Sequence, residues 1–112
     1  MTRKPVVWLG DSRERIRGFP PVARQRAGYQ LARVQEGLEP DSWKPMPSVG
    51  LGAAEIRVRG EGGAYRVLYV AKFAEAVYVL HAFEKKAQKT PKPDIELARA
   101  RYGALLNERK RT

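Results

Sequence analysis

Apolar residues follow two different periods along this chain, and the change between them divides it. Val6-Val7-Trp8-Leu9 is a short apolar run closed by Gly10, the mark of a buried strand. Asp11-Ser12 offers capping chemistry for a short helix reaching about Gly18, and Pro20-Pro21 breaks that helix and suits the start of the next. Ala23, Ala27, Leu31 and Val34 recur at spacings of four, four and three. This spacing lays them on one helical face, with Arg24, Arg26 and Arg33 off it and Gly37 ending the helix. Residues 39–52 hold three prolines and two glycines and read as a loop, with Trp43 and Met46 tucked onto the body.

From Ala54 the period becomes two. Ala54–Arg59 alternates apolar with charged, Gly60–Gly63 is a turn, and Ala64–Ala71 is β-branched and aromatic. Lys72–Glu75 is the next turn candidate and Ala76–Phe83 a third strand. Ile95, Ala98, Tyr102 and Leu105 return to helical spacing; Thr90 followed by Pro91, or alternatively Asp94, is the candidate cap. The predicted fold is α+β, in the order strand–helix–helix–three-strand meander–helix, with a small antiparallel-rich sheet and helices packed on one face. At 112 residues the chain is expected to form one domain, 1–112.

Register turns this pattern into a candidate surface. If each turn is a four-residue loop, Arg57 lies opposite Arg66, Ala71 opposite Ala76, and Arg66 also opposite His81. One face then carries Glu55, Arg57, Arg59, Arg66, His81, Phe83 and Lys85, with Leu68, Val70, Val77 and Val79 toward its far end. The other carries Ile56, Val58, Tyr65, Val67, Tyr69, Tyr78, Leu80 and Ala82 and is the expected core. Like charges directly opposite each other across strands repel, by about 0.2–1 kcal/mol per pair. An outward-facing arginine pair awaiting an anion explains that arrangement; a solvated face, with Arg57 diagonal to Glu55, is its plain alternative.

Charge points the same way. Lys and Arg number 22 against 12 Asp and Glu, a formal net charge of +10, which favours a polyanionic partner. The sharpest local excess is Phe83–Lys92, with four Lys against one Glu. The chain has no Cys and a single His, which excludes disulfides, thiolate zinc sites and a Cys nucleophile and leaves no ligand set for a metal. No metal or other cofactor is expected. No apolar run approaches the roughly 20 residues of a membrane span, and no secretory signal is evident, so a cytoplasmic protein without a membrane partner is expected.

These residues are the components of metal-free RNA cleavage. Guanidinium groups bind phosphate in bidentate fashion and stabilise the added charge of a pentavalent phosphorane. Phe83 or Tyr65 can stack on an unpaired base, and Arg59, Lys86 and Lys89 supply phosphate contacts. His81 can pass a proton, and a lysine with a depressed pKa can donate one. Glu55 is the single carboxylate on this face and the weak candidate for a general base.

The run Glu55-Ile56-Arg57, then Tyr65-Arg66-Val67-Leu68-Tyr69, then Val79 through Pro91 with its Phe83-x-Lys85-Lys86 and Lys89-Thr90-Pro91, followed by Glu96-Leu97-Ala98, resembles the phage-derived, HigB-type branch of the RelE/ParE toxin superfamily. The resemblance covers nearly the whole chain and includes the element order. It implies the toxin of a type II toxin–antitoxin pair, a metal-independent endoribonuclease that cleaves mRNA on the ribosome. It further implies a tightly bound antitoxin, typically a helix-turn-helix protein that represses the operon. By motif, Arg57 and Arg66 would hold the scissile phosphate, and Lys85 and Lys86 would contact RNA, one of them as proton donor. Phe83 would pack or stack, and His81 falls on the branch's Leu-His-x-Phe pattern. Relatives often place Asp, Tyr or His near the chain end; here Asn107–Thr112 offers no such group beyond Glu108. Two alternatives stand beside this reading: a non-catalytic, ParE-like gyrase inhibitor and a basic nucleic-acid-binding module.

Overall fold

The computed structural model describes residues 3–111. The elements are β1 (Val6–Trp8), α1 (Ser12–Arg17), α2 (Pro21–Gln35), β2 (Trp43–Pro45), β3 (Ala53–Gly60), β4 (Gly63–Val70), β5 (Val77–Lys85) and α3 (Lys92–Lys110). The five strands form one mixed sheet in the order β1-β5-β4-β3-β2. β1 runs parallel to β5 and every other pair is antiparallel. The α+β class and the predicted element order hold, with one strand added.

That strand is β2. Residues 39–52 do not form a loop throughout, because Trp43, Lys44 and Pro45 pair with Ile56, Glu55 and Ala54 at the sheet edge. Pro45 is tolerated there because an edge strand leaves one side of its backbone unpaired. The β3–β4 hairpin has the expected register, with Arg57 opposite Arg66 and Arg59 opposite Ala64. Its strands run on to a Gly60–Gly63 pair, so only Glu61 and Gly62 turn the chain, and Gly62 takes a φ of +68°.

The β4–β5 register departs from expectation. Arg66 lies opposite Phe83, not His81, and His81 lies opposite Leu68. The pairing shifts between Leu68 and Tyr69, leaving Leu80 as an extra residue in β5. Arg101 from α3 donates to the Leu80 carbonyl at 2.9 Å. Because of the bulge, Val77 and Val79 turn toward α1 and α2, while Tyr78 and Leu80 turn the other way. The predicted faces of these four residues are therefore reversed.

A second correction is that helices cover both faces of the sheet. α1 and α2 pack Ile16, Ala23, Ala27, Leu31 and Val34 against Ile56, Val58, Tyr65 and Val67. Tyr78 and Leu80 join Leu68, Val70 and Phe83 on the opposite face and make half of it apolar; α3 covers that half with Ala98, Tyr102 and Leu105. Neither candidate cap of α3 acts as a cap: Pro91 holds the N-cap position with no side-chain cap bond. Thr90 and Asp94 instead reach back to the sheet, to Glu55 and His81.

A candidate phosphate-binding face

Cross-strand pairing sets three rows on the α3 side of the sheet. The first is Lys44–Glu55–Leu68–His81, the second Arg57–Arg66–Phe83, and the third Arg59–Ala64–Lys85. α3 covers the inner end of this face. Beyond it a concavity of about 320 Å³ is lined by Ser42, Arg57, Arg59, Ala64 and Arg66. The Arg57 side chain is 42% exposed and that of Arg66 12%, so the first reaches into solvent and the second forms a floor.

The pair is not without an acidic mate. Glu55, fully buried, sets Oε1 3.4 Å from Arg66 Nε and 3.9 Å from Arg57 Nε, and its Oε2 accepts a hydrogen bond from Thr90 Oγ1 at 2.7 Å. This corrects the expectation that the arginines face outward uncompensated, and it also removes Glu55 as a general base. One carboxylate shared between two guanidiniums leaves the trio net positive. Oε1 and Arg66 Nε both lack a hydrogen-bond partner, so charge alone holds that contact. Arg66 Nη1 donates to the Tyr65 carbonyl at 3.0 Å.

Lys85 is half-buried, and its pKa is pushed below the usual lysine value by burial and then by the Arg66 charge, with Glu55 opposing and Lys44 and Arg57 adding to the fall. Arg66 is pushed down for the same first reason, burial, against the pull of Glu55. A guanidinium still keeps its charge at neutral pH. Lys44 enters this field because β2 places it opposite Glu55. It is missing from the sequence reading, whose only signal was a three-residue edge strand ending in Pro.

The remaining predicted residues divide. Arg59, Lys86 and Lys89 are exposed, the lysines in the connection between β5 and α3. Phe83 is buried, 5% exposed, and stacks on the His81 ring at 5.4 Å, so it supports the face from beneath and offers no open surface to a base. Tyr65 is buried on the opposite face against Phe19, at 4.7 Å between ring centroids, and is no stacking platform either. His81 is 1% exposed with Nε2 2.6 Å from Asp94 Oδ1, and burial pushes its pKa down despite that carboxylate. It ties β5 to α3 and has no route to hand a proton to a guest in the concavity.

A family model described as phage-derived protein Gp49-like (DUF891) matches residues 14–103, from α1 through most of α3. The chain belongs to this Gp49-like family. The family is phage-derived and associated with toxin–antitoxin systems. No curated protein matches the chain. Every residue of the basic concavity lies inside the Gp49-like match; β1, the first two residues of α1 and the last two turns of α3 fall outside it, with the chain ends. Among the described residues, no helix is long and apolar enough to cross a membrane.

Proposed function

We propose that this Gp49-like protein is the toxin of a type II toxin–antitoxin pair and an mRNA endoribonuclease acting on the ribosome. The observation that carries the reading is the concavity floored by Arg66 and flanked by Arg57 and Arg59, beside a lysine whose pKa is depressed. In this reading the RNA 2′-hydroxyl attacks the adjacent phosphorus and gives its proton to solvent water, while the bond to the 5′-oxygen breaks, giving a 2′,3′-cyclic phosphate and a free 5′-hydroxyl. Arg57 and Arg66 hold the non-bridging oxygens and stabilise the phosphorane. Lys85 gives the leaving 5′-oxygen its proton, and its lowered pKa makes it a better donor than an ordinary lysine. Arg59, Lys86 and Lys89 hold flanking phosphates. A helix-turn-helix antitoxin, from the resemblance, is the proposed inhibitor. No metal or cofactor takes part in the proposed step.

The concavity's lining includes no carboxylate or imidazole, which favours one second reading, a basic nucleic-acid binder that does not cut. Induction in cells followed by primer extension on mRNA separates the two. Growth arrest with discrete mRNA ends is expected, and the folded double variant Arg57→Ala with Arg66→Ala should lower cleavage roughly 10²–10³-fold or more. Undiminished toxicity in that double variant overturns the site, arrest without cut mRNA overturns the nuclease reading, and RNA binding without cutting or arrest supports the second.

A further inference from the structure

We propose that Glu55 is the positioning residue of this site: its carboxylate holds the Arg57–Arg66 pair from beneath and, through Thr90, latches the lysine-bearing connection 86–91 beside it. This role deepens the cleavage proposed above and rests on it for the enzymatic part of its test.

Glu55 is fully buried, and a carboxylate out of water needs partners. It has three, drawn from three separate elements. Oε2 takes the Thr90 hydroxyl at 2.7 Å. Oε1 faces Arg66 Nε at 3.4 Å from β4 and Arg57 Nε at 3.9 Å from its own strand. The Thr90 contact anchors the end of the connection that carries Lys86 and Lys89, four residues before Asp94 makes its own bond to His81. The base of α3 and the basic connection are thus pinned to the sheet next to the concavity.

The contact to Arg66 has a useful asymmetry. Neither Glu55 Oε1 nor Arg66 Nε is in a hydrogen bond, so Coulomb attraction sets where the guanidinium sits without consuming its donors. A phosphate oxygen can then engage Arg66 without first breaking a hydrogen bond to Glu55. The same negative charge opposes anion binding, so Glu55 costs some affinity for RNA while it fixes geometry.

Glu55→Gln keeps the shape and an oxygen for Thr90 but removes the charge. Its affinity for a single-stranded RNA with 2′-O-methyl riboses, which cannot be cut, is expected to stay within about threefold of wild type or to tighten. Single-turnover cleavage of mRNA on programmed ribosomes, at saturating protein, is expected to fall about tenfold or more. A folding defect would lower both together. Thr90→Val, which cuts only the latch, is expected to lower cleavage roughly three- to tenfold, with Thr90→Ser restoring it. The role is overturned by wild-type cleavage in Glu55→Gln or in Thr90→Val, or by loss of RNA binding in a folded Glu55→Gln. If Glu55→Gln does not fold, the Thr90 pair decides. If the wild-type chain cuts nothing, the proposed function fails by itself, and Glu55 is judged on hydrogen exchange of the backbone amides of residues 86–90. Exchange there should quicken in Thr90→Val and stay slow in Thr90→Ser, and wild-type exchange in Thr90→Val overturns the role.

Discussion

His81 is the chain's only imidazole, and its environment gives it a readable signature. Burial pushes its pKa below 6.5, and the Asp94 contact only partly opposes this. Nδ1 is buried without a hydrogen-bond partner, which suits a neutral ring donating from Nε2 to Asp94. Between the folded and unfolded pKa values the unfolded chain holds a proton that the folded chain lacks. Stability therefore rises with pH across that window and falls on acidification from 6.5 down through the folded pKa. The loss amounts to about 1.4 kcal/mol for each unit by which the pKa is displaced. Melting temperature is expected to drop between about pH 7.5 and about pH 5.5, and the drop should vanish in His81→Gln. A rise on acidification would show instead an imidazolium paired with Asp94. The arginine pair was legible from sequence because a short glycine turn propagates register along β3 and β4 without a break. The roles of His81, Phe83 and Tyr65 were not, since an aromatic ring that could stack on a base and one that fills a core have the same composition.

At the level of elements, the decisive feature is the docking of α3 on the second face. Tyr102 is buried and donates to the Leu51 carbonyl, and its ring lies over Gly50. A Cβ on Gly50 would overlap two Tyr102 ring carbons, so Gly50 is required for close approach. Gly50→Ala is expected to cost about 1–3 kcal/mol by forcing the ring aside. In urea this appears as a lower midpoint with an unchanged slope; a wild-type midpoint would mean that α3 is not seated there. The existence and order of the long elements were readable from periodicity. The bulge in β5 was not, because Val77–Phe83 is buried throughout and a strand covered on both faces has no alternation to reveal a slipped phase. The bulge changes which β5 residues meet α3, Tyr78 and Leu80 in place of Val77 and Val79. The apolar far end itself, with Leu68 and Val70, was present in the predicted register and is the patch that α3 covers.

Across the whole molecule, an excess of ten positive charges attracts any polyanion, so the question is whether binding is focused on the concavity. Counterion release gives a measure. For a single strand the logarithm of affinity falls with the logarithm of salt with a slope of about −0.7 for each phosphate neutralised. In the proposed reading, Arg57, Arg59, Arg66, Lys85, Lys86 and Lys89 are the sources of such contacts. With roughly four to six phosphates engaged, the slope is expected near −3 to −4. Removing Arg57 and Arg66 together should flatten it by about 1.4. Lys110 and Arg111 together are the matched control, since Lys110 ends α3, about 27 Å along the helix from Lys92 at 1.5 Å per residue, and Arg111 follows it. Lys110→Ala with Arg111→Ala lowers the net charge by the same two units but should leave the slope unchanged. Equal flattening by both variants would mean that RNA samples the whole basic surface; no flattening in the arginine double variant would place the bound phosphates elsewhere.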